Sequence, residues 1–165
     1  MAEKNYILDA ETAAKKLQRM SLEIVENIDE NDELIIIGIA ENGMVLANSI
    51  VNLLQPHLKQ RVIVLRASLD KKHPSDIVLS REVNFTGSHV IIIDDVSNSG
   101  RTLLYTVKPL LDHHPKKIQT LVLVERMHKQ FAVKPDYVGL SVATTLQNNI
   151  VVQIYDSIVS GAYVE

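Results

Sequence analysis

The sequence predicts an α/β fold: a mostly parallel central sheet with helices on both faces. Three observations carry this. Apolar strand segments alternate with amphipathic helical segments along the chain. The runs at 34–39 and 90–93 are continuously apolar, as strands are when both faces of a sheet are covered. Short segments, at 40–43 and 94–100, leave from the carboxyl ends of these two strands, where open parallel sheets bind ligands.

Taken in order, Asp9 is placed to cap a helix, because its carboxylate can accept N–H groups two or three residues on. Leu17, Met20, Ile24, Val25 and Ile28 follow at helical spacing, with Lys15, Arg19 and Glu26 on the opposite face. Residues 34–39 read as a buried strand, 40–43 as a tight loop, and 44–54 as a helix with Ala47, Ile50, Val51 and Leu54 on one face and Pro56 beyond its end. Residues 62–67 read as a second strand. The polar segment 70–81, which contains Pro74, shows no sustained period and reads as a surface loop. Val83 and Phe85 are expected in a short edge strand before the turn at Gly87-Ser88. Residues 90–93 form the central strand, 101–111 the following helix and 118–124 another buried strand, with weaker strands at 137–142 and 150–155. No internal repeat or linker interrupts the 165 residues, so one domain over 1–165 is expected.

The composition is that of a soluble globular chain, 46% hydrophobic and 22% charged. It has no cysteine, which excludes disulfides and thiolate chemistry. Neither a bilayer-spanning apolar run nor a charged-then-apolar leader is present, so a cytoplasmic location without membrane association is expected. A formal net charge of −3 speaks against nucleic acid as the main partner.

The chemistry concentrates at residues 90–102, Val-Ile-Ile-Ile-Asp-Asp-Val-Ser-Asn-Ser-Gly-Arg-Thr. A buried strand delivers Asp94 and Asp95, and uncompensated carboxylates are costly there. Ionised acids accept hydrogen bonds from vicinal hydroxyls, and a divalent cation can bridge two of them; a helix cap beside a solvated acid would also explain an isolated pair. Ser97, Asn98, Ser99, Gly100, Arg101 and Thr102 then open a helix, where free N–H groups and the helix dipole favour an anion. An ordinary polar loop with a cap is the plain alternative. The spacing is not that of a Walker loop.

In this setting, four apolar residues, Asp-Asp, three variable residues, Ser/Thr-Gly, one residue and Thr resemble the phosphoribosyl-pyrophosphate signature of the type I phosphoribosyltransferases. The resemblance extends over most of the chain. Within the family it is greatest to the branch of pyrimidine-operon attenuators that are also uracil phosphoribosyltransferases, through residues 34–39, 121–128, 136–139 and 150–153. It implies that Asp94 and Asp95 meet the ribose hydroxyls directly or through Mg²⁺, and that residues 98–102, within a site running from Ser97, wrap the 5-phosphate. It implies that Ala40, Glu41, Asn42 and Gly43 form the pyrophosphate loop, and that 70–81 is a mobile hood. Glu125 and Arg126 lie where the family places base-side and magnesium-side contacts, Arg126 with a catalytic role. The implied reaction is attack of a nucleobase nitrogen on the anomeric carbon with release of pyrophosphate, helped by positioning and charge stabilisation. A homodimer is also implied, and RNA is an alternative partner that the acidic balance disfavours.

The chain departs from the family pattern in places. The attenuator-type loop reads Thr-Arg-Gly, whereas this chain has Glu41-Asn42-Gly43. A carboxylate ~5 Å from a phosphate charge costs about 3 kcal/mol at an effective dielectric of about 20. That is roughly a hundredfold in affinity if Glu41 points into the site; if it points to solvent, the loop N–H groups can still serve. Asn98 stands where purine-type relatives carry an Asp, and an amide is no general base, which favours a uracil-type substrate. The hood is short, with Lys71, Lys72 and Arg81 as its cations. His113-His114, His128 and Tyr105 read as surface or packing residues, and six scattered histidines make no zinc site.

Overall fold

The computed structural model describes residues 4–70, 72–143 and 148–165. Strand β1 (Asn5–Asp9) leads into α1 (Ala10–Asn27), where Asp9 is the cap, its carboxylate accepting the Thr12 N–H at 2.7 Å. Helix α1 buries Ala13, Leu17, Met20 and Ile24. Strand β2 (Leu34–Ile39) is buried throughout and runs directly into α2 (Ala40–Leu54). Strands β3 (Val62–Ser68) and β4 (Val78–Leu79), β5 (His89–Ser97), α3 (Arg101–Leu111), β6 (Lys117–Arg126), β7 (Tyr137–Val142), β8 (Ile150–Tyr155) and β9 (Ile158–Val164) follow.

The main sheet has six strands in the order β4-β3-β2-β5-β6-β7, all parallel except the short β4. Alternation along each strand splits the core in two. Leu34, Ile36, Ile91 and Ile93 pack with α1 and α2, whereas Ile35, Ile37, Val90 and Ile92 pack with Leu103 and Leu110 of α3. The chain steps outward from β2 to β3, returns to β5 on the other side of β2, and steps outward again. The point of reversal lies between the carboxyl ends of β2 and β5, where open sheets form their crevice. No described helix is long and apolar enough to cross a membrane.

The structure corrects several expectations. Residues 40–43 are not a loop but the first turn of α2; Gly43 reads as a turn signal, yet serves a close contact. Strand β5 does not end at Ile93 but carries Asp94, Asp95 and Ser97 within the strand, and β6 likewise includes Glu125 and Arg126. Val83 and Phe85 form no strand. Phe85 is a buried core residue, and the edge strand is Val78–Leu79, inside the segment expected to be all loop. A second sheet, β1-β9-β8, is antiparallel and packs Val152, Val159 and Ala162 against the α1 side of the core. The separate small layer thus comes from the chain ends rather than from residues 70–81, of which Lys71 lies outside the described residues.

Candidate functional site

The strand period that builds the core also distributes the acids. Asp94 continues the side of β5 that faces α3, and Asp95 the side that faces α2. Both are nearly closed to solvent, at 1% and 9% exposure. Buried carboxylates need donors, and the backbone supplies some: Asp95 N–H donates to Asp94 Oδ1 at 2.9 Å, and Val96 N–H to Asp95 Oδ1 at 2.9 Å. The remaining oxygen of Asp95, Oδ2, accepts from the Asn42 side-chain amide at 2.7 Å.

Beyond β5 the chain turns through Asn98, Ser99 and Gly100 into α3. Gly100 caps that helix in the left-handed region, at φ +83°. Its missing side chain matters twice, because a Cβ would be strained there and would meet the carbonyl oxygens of Val133 and Phe131 at 3.2 and 3.3 Å. The Ser99 carbonyl accepts the N–H groups of Gln130 and Phe131, so the segment after β6 clamps the turn from outside. Inside, residues 94–103 and Ile150 line a cleft of about 330 Å³. The Ser97 hydroxyl in this lining is buried and has no hydrogen-bond partner among the described residues. Such groups are rare in native proteins and mark a place for a ligand or water.

On the other side of the crevice stands the first turn of α2. Ala40 takes φ +52°, an uncommon conformation for a residue with a side chain, as β2 bends sharply into the helix. Gly43 then presses on β5: a Cβ would lie 2.7 Å from the Ile93 carbonyl oxygen. This contact brings Asn42 to Asp95. Glu41 turns outward, its side chain 79% exposed and paired with Arg66 of β3 at 2.6 Å. Of the two orientations the sequence left open, Glu41 therefore takes the one away from the cleft.

Arg126, 2% exposed at the end of β6, donates through Nε to Asn98 Oδ1 at 3.2 Å and through Nη2 to the Asn148 carbonyl. Burial lowers its pKa from the ordinary arginine value. Because arginine only donates, the Asn98 carbonyl must face it, and the amide NH₂ is turned elsewhere. Glu125 is held by others: Oε1 accepts from Ser141 at 2.7 Å and Oε2 from Lys129 at 3.0 Å. Burial pushes its pKa up, but the hydrogen bonds from Ser141 and Lys129 and the lysine charge outweigh this and leave it lowered.

Asp94, Asp95, Ser97, Asn98, Ser99, Gly100, Arg101 and Thr102 thus line one cleft, and Asn42 and Arg126 reach its lining by hydrogen bonds. Ala40 and Gly43 shape the opposite turn, while Glu41 and Glu125 are engaged away from the cleft. Arg101 also donates to the Lys72 carbonyl at 3.0 Å, tying residues 70–81 to the start of α3. Sequence reasoning passed over Arg66, Lys129, Ser141 and Ile150. Arg66 and Ser141 stand at the carboxyl ends of β3 and β7, a position that could have flagged them. Among the described residues no group of three or more His, Cys, Asp or Glu side chains could hold a metal. Two adjacent carboxylates fit a Mg²⁺ that takes its other ligands from substrate and water.

The site is an open α/β sheet with paired acids and a helix-opening turn at its switch point. The phosphoribosyl transferase domain family matches residues 4–157, and the chain belongs to that family. It is 31% identical to the pyrimidine operon regulatory protein of Lactococcus lactis subsp. lactis, over 90% of this chain and 88% of that one. It is 34% identical to the bifunctional protein PyrR of Oceanobacillus iheyensis, over 93% and 92%. Among solved structures, a hypoxanthine-guanine phosphoribosyltransferase from Bacillus anthracis superposes with a TM-score of 0.75 at 22% identity, covering 92% of this chain and 88% of that one. The hypoxanthine phosphoribosyltransferase of Trypanosoma cruzi gives 0.73 at 15% identity, over 84% and 81%. At these identities the two structures speak to the fold alone.

Proposed function

We propose that the cleft binds phosphoribosyl pyrophosphate with Mg²⁺ and that the protein transfers the phosphoribosyl group to a nucleobase of the uracil type. The observation that carries this is the register of one strand end: two buried acids followed by a turn of N–H groups, hydroxyls and an orphaned Ser97 hydroxyl. Asp94 and Asp95 accept from the ribose 2- and 3-hydroxyls. The Ser97–Thr102 turn takes the 5-phosphate on its N–H groups and on the dipole of α3. Asp94 and Asp95 would hold Mg²⁺ when it is bound, and it would supply positive charge on the pyrophosphate side.

A base nitrogen forms the new bond to the anomeric carbon. The bond to pyrophosphate breaks with its electron pair leaving on the pyrophosphate oxygen, and the proton of the attacking nitrogen passes to water. Asn98 takes no proton, in keeping with a pyrimidine rather than a purine that needs a base there. Arg126 holds Asn98 through its Nε hydrogen bond, and Glu125 ties Ser141 and Lys129 together at the end of the next strand. A cytoplasmic homodimer acting in pyrimidine salvage completes the proposal.

Isothermal titration with phosphoribosyl pyrophosphate and Mg²⁺, followed by a panel of uracil, hypoxanthine, guanine, xanthine and adenine, tests it. Saturable heat and turnover with uracil are expected; no heat at millimolar ligand overturns it. A second reading, a regulator that senses phosphoribosyl pyrophosphate or nucleotides and binds RNA, is favoured by one observation: Asn42 puts a neutral amide in the pyrophosphate turn. Gel shift of a pyrimidine-operon leader RNA at low salt supports it if binding weakens steeply with salt, and rules it out if no shift appears.

A further inference from the structure

Inorganic pyrophosphate carries several negative charges, and the turn that would receive it, residues 40–43, contains no cation. Its one neutral donor side chain, Asn42, is committed to Asp95 at 2.7 Å. A positive group does stand beside the turn, one strand over. Arg66 lies at the carboxyl end of β3, in register with Gly38 of β2, two residues before the turn. Its backbone is fixed on both sides by Ser80, whose Oγ accepts the Arg66 N–H at 3.0 Å and whose N–H donates to the Arg66 carbonyl at 2.9 Å. From that anchor the guanidinium reaches across to Glu41, adjacent to Asn42, and Nη1 meets Oε1 at 2.6 Å.

We infer that Arg66 supplies the positive charge on the pyrophosphate side of the cleft and that Glu41 is an intramolecular carboxylate which the pyrophosphate displaces from it. An acid in a pyrophosphate turn is thereby accounted for without placing it against the anion. The exchange is between like partners, since guanidinium pairs with carboxylate and phosphate oxygens in the same forked geometry. It is also easy, because the Glu41 side chain is 79% exposed and that of Arg66 43%, so that little is lost when Glu41 swings into water. Ligand specificity follows. A ligand that carries the pyrophosphate engages Arg66, while one that ends at the ribose 5-phosphate leaves the Glu41–Arg66 pair closed.

The inference rests on the phosphoribosyl-pyrophosphate reading of the cleft. Its test is a double-mutant cycle by titration calorimetry at low salt, using wild type, Glu41→Gln, Arg66→Gln and the double variant. The ligands are phosphoribosyl pyrophosphate with Mg²⁺ and, in parallel, ribose 5-phosphate. Glu41→Gln is expected to tighten phosphoribosyl pyrophosphate up to about fivefold, the range of an exposed ion pair. Arg66→Gln is expected to weaken it about tenfold, as loss of a charged hydrogen bond does. Once Arg66 is gone, Glu41→Gln should change affinity by less than about twofold, and ribose 5-phosphate should bind all four proteins alike. If Glu41→Gln tightens binding as much without Arg66 as with it, Glu41 repels the ligand directly and the inference fails. Equal weakening of both ligands by Arg66→Gln also overturns it, showing a structural effect. Wild-type binding of phosphoribosyl pyrophosphate that ignores all three variants overturns the inference alone, and no wild-type binding overturns the functional reading and the inference with it.

Discussion

Replacing Gly43 by alanine sets two physical effects against each other. By helix propensity the substitution should stabilise α2 by about 1 kcal/mol, because glycine is that much poorer than alanine inside a helix. The packing says the opposite. The new Cβ would sit 2.7 Å from the Ile93 carbonyl oxygen, a backbone atom that no rotamer change can move aside. Overpacking of a closed core costs typically about 1–3 kcal/mol, and a backbone contact this short belongs at the upper end. The net expectation is a loss of about 2 kcal/mol, or roughly 4–8 °C in Tm for a chain of this size. The first turn of α2 must also move off β5, which pulls Asn42 from Asp95 and weakens phosphoribosyl pyrophosphate binding about tenfold, since a hydrogen bond to a charged group carries about 1.5 kcal/mol or more. Urea unfolding and titration calorimetry read the two effects. A Gly43→Ala protein as stable as wild type, or more so, would refute the claim that this glycine exists for close approach.

Further outcomes follow from single contacts. Asn42→Ala removes the donor on Asp95 Oδ2 and should lower unfolding free energy by about 1–2 kcal/mol in urea titrations. Glu125 has a native pKa below its ordinary 4.5, so its contribution to stability is full above that value and is lost as pH falls through the lower native value. Lys129→Met removes one of the donors that outweigh burial, so the native pKa rises toward the ordinary value and the acid limb of the urea midpoint should become shallower. His89 runs the other way: burial holds its native pKa below 6.5, so protonation favours the unfolded chain and stability falls as pH drops below about 6.5. Its Nε2 bonds Gln119 at 2.8 Å and its buried Nδ1 has no partner among the described residues, so His89→Gln should flatten the stability profile just below that pH.

The main sheet was legible because its strands are extreme. β2 and the apolar stretch of β5 are buried on both faces and contain no polar residue that could suggest another reading. The placing of the acid pair at a strand end and of Gly100 before a helix was legible because a polar run with a glycine follows an apolar strand there. Of the second sheet only β8, at 150–155, was. Its hairpin turns at Asp156 and Ser157, which take φ +48° and +60° without glycine, so the usual Asn-Gly signal is missing. Gly43 was misread because the sequence does not distinguish a glycine that turns the chain from one that lets a helix touch a strand. Glu41 and Arg66 are 25 residues apart, and their pairing follows only from the parallel register of β2 and β3. The same holds for Asn98 and Arg126, which meet because β5 and β6 end side by side.

The most direct measurement is an NMR titration of the ¹⁵N-labelled protein with ribose 5-phosphate, which isolates the cleft from pyrophosphate and base. Amide shifts are expected to concentrate at residues 97–102, where the N–H groups at the start of α3 receive the phosphate, with smaller changes at Asp94 and Asp95. Residues 111–116, at the far end of α3, should stay still. Saturable shifts centred elsewhere, or none at millimolar ligand, would contradict a phosphoribosyl site at the end of β5.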